Sequence, residues 1–206
     1  MFENLLAVFG VTDVSRGLKA LAASRLEPFD KFVDGKTATV RGRIGPTDDM
    51  VISPLAEKRC VAWACVFEEC GKEDDTFELG RAGGGASFLL HSDHGIARVV
   101  PDGVLVLNLP HRFAATLMRS FGAHHLKTEA RVKELAAHGR IRKPNWGASS
   151  LLMREYLFGV GDTITVQGHV TLEPNPLADE KVTGYREALP TRPVLSGTRK
   201  RRLLFG

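Results

Sequence analysis

Long apolar runs are missing from this chain: no stretch of its 206 residues approaches the ~20 consecutive apolar residues that a membrane-spanning helix needs. Cysteine is scarce as well. Cys60, Cys65 and Cys70 are the whole complement, an odd number that argues against a disulfide framework and predicts a reducing, cytoplasmic setting. The residues from Met1 to Gly10 carry no basic segment ahead of their apolar ones, so no secretory leader is expected. Aromatic residues amount to 7%, which leaves few rings on which nucleobases could stack.

Catalytic signatures are equally sparse. Gly83, Gly84 and Gly85 lack the Lys and Ser/Thr that complete a phosphate-binding loop, and they read as a flexible hairpin tip. There is no Gly-x-Ser-x-Gly nucleophile elbow, and no pair of acids whose spacing assigns them opposed roles. His91 and His94 flank Asp93, but no third His or Cys stands near them, and local turn chemistry accounts for the segment. Cys60 and Cys65 are too far apart for a structural zinc pair; on a strand they would face opposite ways and read as buried, inert thiols. No enzymatic activity, metal or cofactor is expected.

What the chain does have is the composition of one globular domain, with 43% apolar and 25% charged residues. Val14, Leu18, Leu21 and Ala22 share a helical face behind Thr12 and Asp13, which predicts a helix from about Val14 to Arg25, stopped before Pro28. Strand periodicity follows. In Ala38 to Ile44 the even positions are small or apolar and the odd ones polar. Cys60 to Phe67 is apolar on both alternating faces, as a strand covered on two sides must be. Ser87 to His91 and Gly95 to Val100 form a predicted hairpin, with a further strand at Val104 to Leu107. Thr39-Val-Arg-Gly-Arg-Ile44 is echoed by Thr165-Val-Gln-Gly-His-Val170, and a mid-strand glycine marks a bend or a close backbone approach, as small barrels require.

From Pro110 to Leu152 the pattern changes: Phe113, Leu117 and Phe121 recur every four residues, which predicts a helical insertion. The expected fold is a β-rich α+β domain spanning 1–206. Residues 1–28 hold the N-terminal helix, 29–110 and 152–170 a small OB-like antiparallel barrel, 111–151 the basic helical insertion, and 171–206 an extended C-terminal segment.

The net charge of +4 conceals a polarity, since residues 1–100 hold 12 basic and 15 acidic side chains and 101–206 hold 16 and 9. The insertion and the tail supply the candidate anion- or partner-binding groups: Arg112, Arg119, Lys127, Arg131, Lys133, Arg140, Arg142, Lys143, Arg199, Lys200, Arg201 and Arg202. The insertion's charge density predicts that it projects from the barrel and is dispensable for folding. The tail cations precede Leu203, Leu204 and Phe205, a segment that reads either as a shallow anchor to an anionic bilayer or as a solvated chain end. Glu155 lies just ahead of apolar Leu157 and Phe158; buried, it would need a partner, for which Arg41 and Arg43 are the candidates, and otherwise it sits on an exposed strand face.

One ordered series of short motifs runs from Phe29 to Val170: Gly42-Arg-Ile44, Ser53-Pro54, Cys60-Val61, Glu68-Glu69, Phe88-Leu-Leu90, Asp93, Gly95, Arg154-Glu155 and Gly161-Asp-Thr-Ile-Thr-Val-Gln-Gly168. It resembles the GIDE domain, also called the beside-a-membrane (BAM) domain, of MULAN-type mitochondrial ubiquitin ligases and prokaryotic relatives. The resemblance implies a β-rich, non-catalytic binding domain. The two-zinc RING of the ligases is not carried over, because three cysteines cannot build it. The function expected is a soluble interaction module for a protein or membrane-associated partner. The alternative is an OB-like nucleic-acid binder that uses the basic insertion.

Overall fold

A sheet with one wet face demands alternating residues, and the two echoed segments fold on that rule. A computed structural model describes residues 26–70, 76–101, 105–106, 113–117, 130, 133–134, 142, 150–174, 191–197 and 203–206. Strand β1 (Thr37–Ile44) buries Ala38, Val40, Gly42 and Ile44 and exposes Arg41 and Arg43. Thr39 departs from the alternation: it is buried, and its hydroxyl accepts a hydrogen bond from Gln167 Nε2 at 3.0 Å.

After β2 (Val51–Ile52), β3 (Arg59–Cys60), β4 (Ala62–Cys70) and β5 (Thr76–Gly85) come the hairpin strands β6 (Phe88–Ser92) and β7 (Gly95–Val100). They are followed by β8 (Leu105–Val106), β9 (Phe113–Leu117), β10 (Ser150–Phe158), β11 (Thr163–Pro174), β12 (Thr191–Ser196) and β13 (Leu204–Phe205). Strand β11 repeats the pattern of β1, burying Ile164, Val166, Gly168 and Val170. The two strands are antiparallel neighbours with Val40 opposite Val166, so the even positions of both point inward as expected.

The pairings β1–β6–β7–β12–β11 return to β1 and close a five-stranded barrel. Four contacts of the ring are antiparallel, but β7 and β12 run parallel, which corrects the expectation of a wholly antiparallel barrel. The inward side chains of Val40, Ile44, Leu90, Val99, Val166, Leu195 and Phe205 fill it. Gly168 has no room for a side chain, since a Cβ there would lie 2.6 Å from Leu203 Cδ1.

A second sheet, β5–β4–β10–β9, is entirely antiparallel. Ala62 and Ala64 of β4 join the barrel core, while Cys65 and Phe67 join a second core with Leu55, Leu79, Leu151 and Met153. That double burial explains why the sequence of β4 is apolar on both faces. Trp63 is only partly buried and packs on the second core.

Helical content is where sequence and structure part. The helix expected at 14–25 lies outside the described residues. Among the described residues no α-helical element is defined: Ala130, Lys133 and Glu134 have α-helical backbone, and one 3-10 turn spans Phe29–Lys31. Residues 113–117, read as helix, form strand β9 against β10, with Ala115 opposite Met153. The physical reason is that a spacing of four also satisfies a period of two, so Phe113 and Leu117 share a strand face as well as a helix face. The α+β class is therefore corrected to a β fold for the described residues. The insertion does not simply project, because β9 forms an edge of the second sheet. Nor are Gly83, Gly84 and Gly85 a hairpin tip: they lie in β5 opposite Ala64, Trp63 and Ala62. A Cβ on Gly85 would meet the Val61 carbonyl at 2.5 Å.

Candidate functional site

Strand β10 places Leu151, Met153 and Glu155 on one face by simple alternation, and all three are buried. Glu155 is completely enclosed. Its Oε1 accepts hydrogen bonds from the Leu55 amide at 3.0 Å and the Cys65 thiol at 3.5 Å, and its Oε2 from the Ala56 amide at 2.8 Å and the Ser53 hydroxyl at 3.1 Å. Ser53 is tied back in turn: its Oγ accepts from the Lys58 amide, and its own amide donates to the Lys58 carbonyl. One carboxylate thus clasps the loop between β2 and β3. Of the two readings of Glu155 the buried one holds, but its partners are loop donors and not Arg41 or Arg43. Glu57, on the same loop, carries a φ of +55, a left-handed conformation that a non-glycine residue keeps only where its surroundings hold it.

The same carboxylate acts on the thiols. Cys65 touches it and Cys60 lies within reach of its charge. Burial first, and Glu155 second, push the Cys60 thiol from 9.0 up to about 11; Cys65 is raised further by burial, Glu155 and Cys60. Both stay protonated and unreactive near neutrality. Because the folded-state values are raised, the stability they contribute is intact below pH 9 and is lost as the pH climbs towards 11. The fall in stability between pH 8 and pH 10.5 is expected to shrink by on the order of 1 kcal/mol in Cys60→Ala, measured by urea unfolding. An unchanged fall would count against the assignment.

Arg154 and Glu68 form an ion pair on the neighbouring strands β10 and β4. Adjacent positions of β10 thus serve its two faces: Glu155 holds the clasp with Ser53 on one, and Arg154 pairs with Glu68 on the other.

A second constellation lies outside the barrel, at the end of β1. Cross-strand pairing puts His91, Arg43 and Thr163 in one row, with Arg41 one step along on the same face. A cleft of about 320 Å³ lies on one side of this row, with Phe29, Arg41 and His94 in its wall. Another of about 390 Å³ lies on the other, walled by Ile44, Pro46 and Val160. Arg43 and His91 line both.

Of the candidate cations, Lys133 and Arg142 are described and both are exposed. The Arg142 amide donates to the Leu79 carbonyl at 3.0 Å, which brings it alongside β5. The remaining ten lie outside the described residues. The apolar end of the tail is not an anchor, nor a solvated end: Leu203, Leu204 and Phe205 are buried, and Phe205 packs edge-on to Phe158 and Phe88 at 5.0 and 6.3 Å. Among the described residues no three His, Cys, Asp or Glu side chains gather as metal ligands, and no helix is long and apolar enough to cross a membrane. No family model, curated protein or solved structure matches the chain. Arg41 and Arg43 were legible as polar strand positions, but nothing local in the sequence joins them to His91.

Proposed function

We propose that this protein is a non-catalytic interaction module that binds a protein or membrane-associated partner, as the resemblance to the GIDE domain implies. The observation that carries the reading is how its polar groups are used. The buried acid most suited to chemistry, Glu155, has its oxygens occupied by loop and thiol donors. The cleft row, by contrast, presents Arg41 and Arg43 to solvent with no acidic partner among the described residues. A clasped loop and an open cationic row suit recognition.

The ring order favours one alternative. Numbering its strands 1 to 5 along the chain gives the circuit 1-2-3-5-4, with strands 3 and 5 parallel, the arrangement of an OB-type barrel, a fold that often binds oligonucleotides. Affinity capture on the full immobilised chain separates the two. The interaction-module reading expects a protein or membrane component retained by the wild type after nuclease treatment and lost in the double variant Arg41→Glu, Arg43→Glu. Retention that disappears with nuclease, together with salt-dependent binding of single-stranded oligonucleotides, would replace it with the alternative.

A further inference from the structure

We infer that the row His91–Arg43–Thr163 is a binding site for a phosphate group carried on a partly apolar molecule. The inference deepens the interaction-module reading and rests on it. Arg43 is held ready: its Nε donates to the Gly161 carbonyl at 2.9 Å, which fixes the guanidinium and leaves its two terminal nitrogens for a ligand. Gly161 makes this approach feasible. Its φ is +88, and a Cβ there would sit 3.3 Å from Arg43 Nη2.

His91 is positioned the same way from the other side. A Cβ on Gly45 would lie 2.5 Å from His91 Nε2, so the imidazole occupies the space that glycine leaves. Two glycines thus let two cationic or hydrogen-bonding side chains close on the ridge between the clefts, with the Thr163 position beside them. An Arg fork, an imidazole and a hydroxyl approach from different sides, which suits the three terminal oxygens of a tetrahedral phosphate monoester better than the two coplanar oxygens of a carboxylate.

No acid among the described residues forms an ion pair with the row. Glu27 and Asp93 line the first cleft without pairing to either arginine, and the Asp162 carboxylate is turned to the Gly159 amide at 2.8 Å. No acid lines the second cleft, where Ile44, Pro46 and the exposed Val160 offer an apolar wall. Its volume, about 390 Å³, is within the range of small-molecule sites.

The test uses the full chain and phenyl phosphate, followed through amide chemical shifts, with vesicles of phosphatidylcholine alone or with phosphatidic acid as a second arm. Shifts are expected to concentrate at Arg43, His91 and Gly161. Arg43→Gln is expected to weaken binding at least tenfold, and Lys58→Gln, which removes a like charge outside both clefts, less than twofold. Gly161→Ala, which strains the turn at its φ of +88 and crowds the guanidinium without changing charge, is expected to weaken it as well. Binding of phenyl phosphate with no preference for phosphatidic acid vesicles supports the site with a soluble ligand. Preference for those vesicles that Arg43→Gln abolishes supports it with a lipid headgroup. Shifts spread over all exposed cations, equal losses in the Arg43 and Lys58 variants, or no binding in either arm would overturn the inference. Partner capture is scored separately, so loss of the phosphate site with capture intact leaves the interaction-module reading standing.

Discussion

Alanine at position 155 is expected to destabilise the protein by about 3–5 kcal/mol, seen as a large drop in the urea midpoint. The figure follows from what the substitution leaves behind. The Leu55 and Ala56 amides and the Ser53 hydroxyl would remain inside with nothing to accept their hydrogens, and each orphaned donor costs about 1–3 kcal/mol when water cannot reach it. Glu155→Gln keeps the volume and one acceptor oxygen, so it is expected to cost less, about 1–3 kcal/mol. The loop between β2 and β3 should then exchange its amide hydrogens faster, with the barrel amides unchanged. A loss below about 1 kcal/mol in the alanine variant would mean that the clasp does not hold the loop.

Phe205→Ala is the second substitution with a large expected effect, about 3–5 kcal/mol, through lost apolar burial and a cavity in the barrel. Phe205 is fully enclosed, meets Phe158 at 88° and Phe88 at 77°, and belongs to a strand whose neighbours are β11 and β8. Edge-on ring pairs add about 0.5–1.5 kcal/mol to the burial itself. Unfolding by urea, with heat as a second measure, reads the effect. If the variant kept wild-type stability while losing affinity for anionic vesicles, the tail would be an anchor after all.

Particular residues show where the sequence was readable. The paired strands β1 and β11 announced themselves because a half-buried strand repeats every two residues, and Gly42 and Gly168 stood where close approach allowed no side chain. Both glycines are tight: a Cβ on Gly42 would reach the His91 carbonyl at 2.5 Å. Strand β4 was readable too, since burial on both sides leaves no polar face. Phe113 and Leu117 misled because their spacing fits two periods, and only the pairing with β10 decides between them. Glu155 shares parity with Leu151 and Met153, a signal that it points inward. Its partners were not legible, because Ser53, Leu55 and Ala56 are 99 to 102 residues away and a loop amide leaves no mark in a sequence. For the tail, four adjacent cations suit either a membrane anchor or a solvated chain end, whereas the next three residues belong to the core.

The parallel contact of β7 with β12 joins Arg98 to Val194, and Phe205 adds the last large side chain to the barrel core. A ribosome delivers the chain in order, so β1, β6 and β7 emerge long before the strand that completes their ring. Until residues 191–205 leave the exit tunnel, Val40, Leu90 and Val99 have no finished interior to enter, and the edge of β7 stays open to pairing with other chains. Such distant closure makes folding slow relative to a helical protein of equal size. Synthesis of this protein therefore includes an interval of exposure that holding chaperones would have to cover, and its length is set by translation speed and not by the stability of the finished barrel.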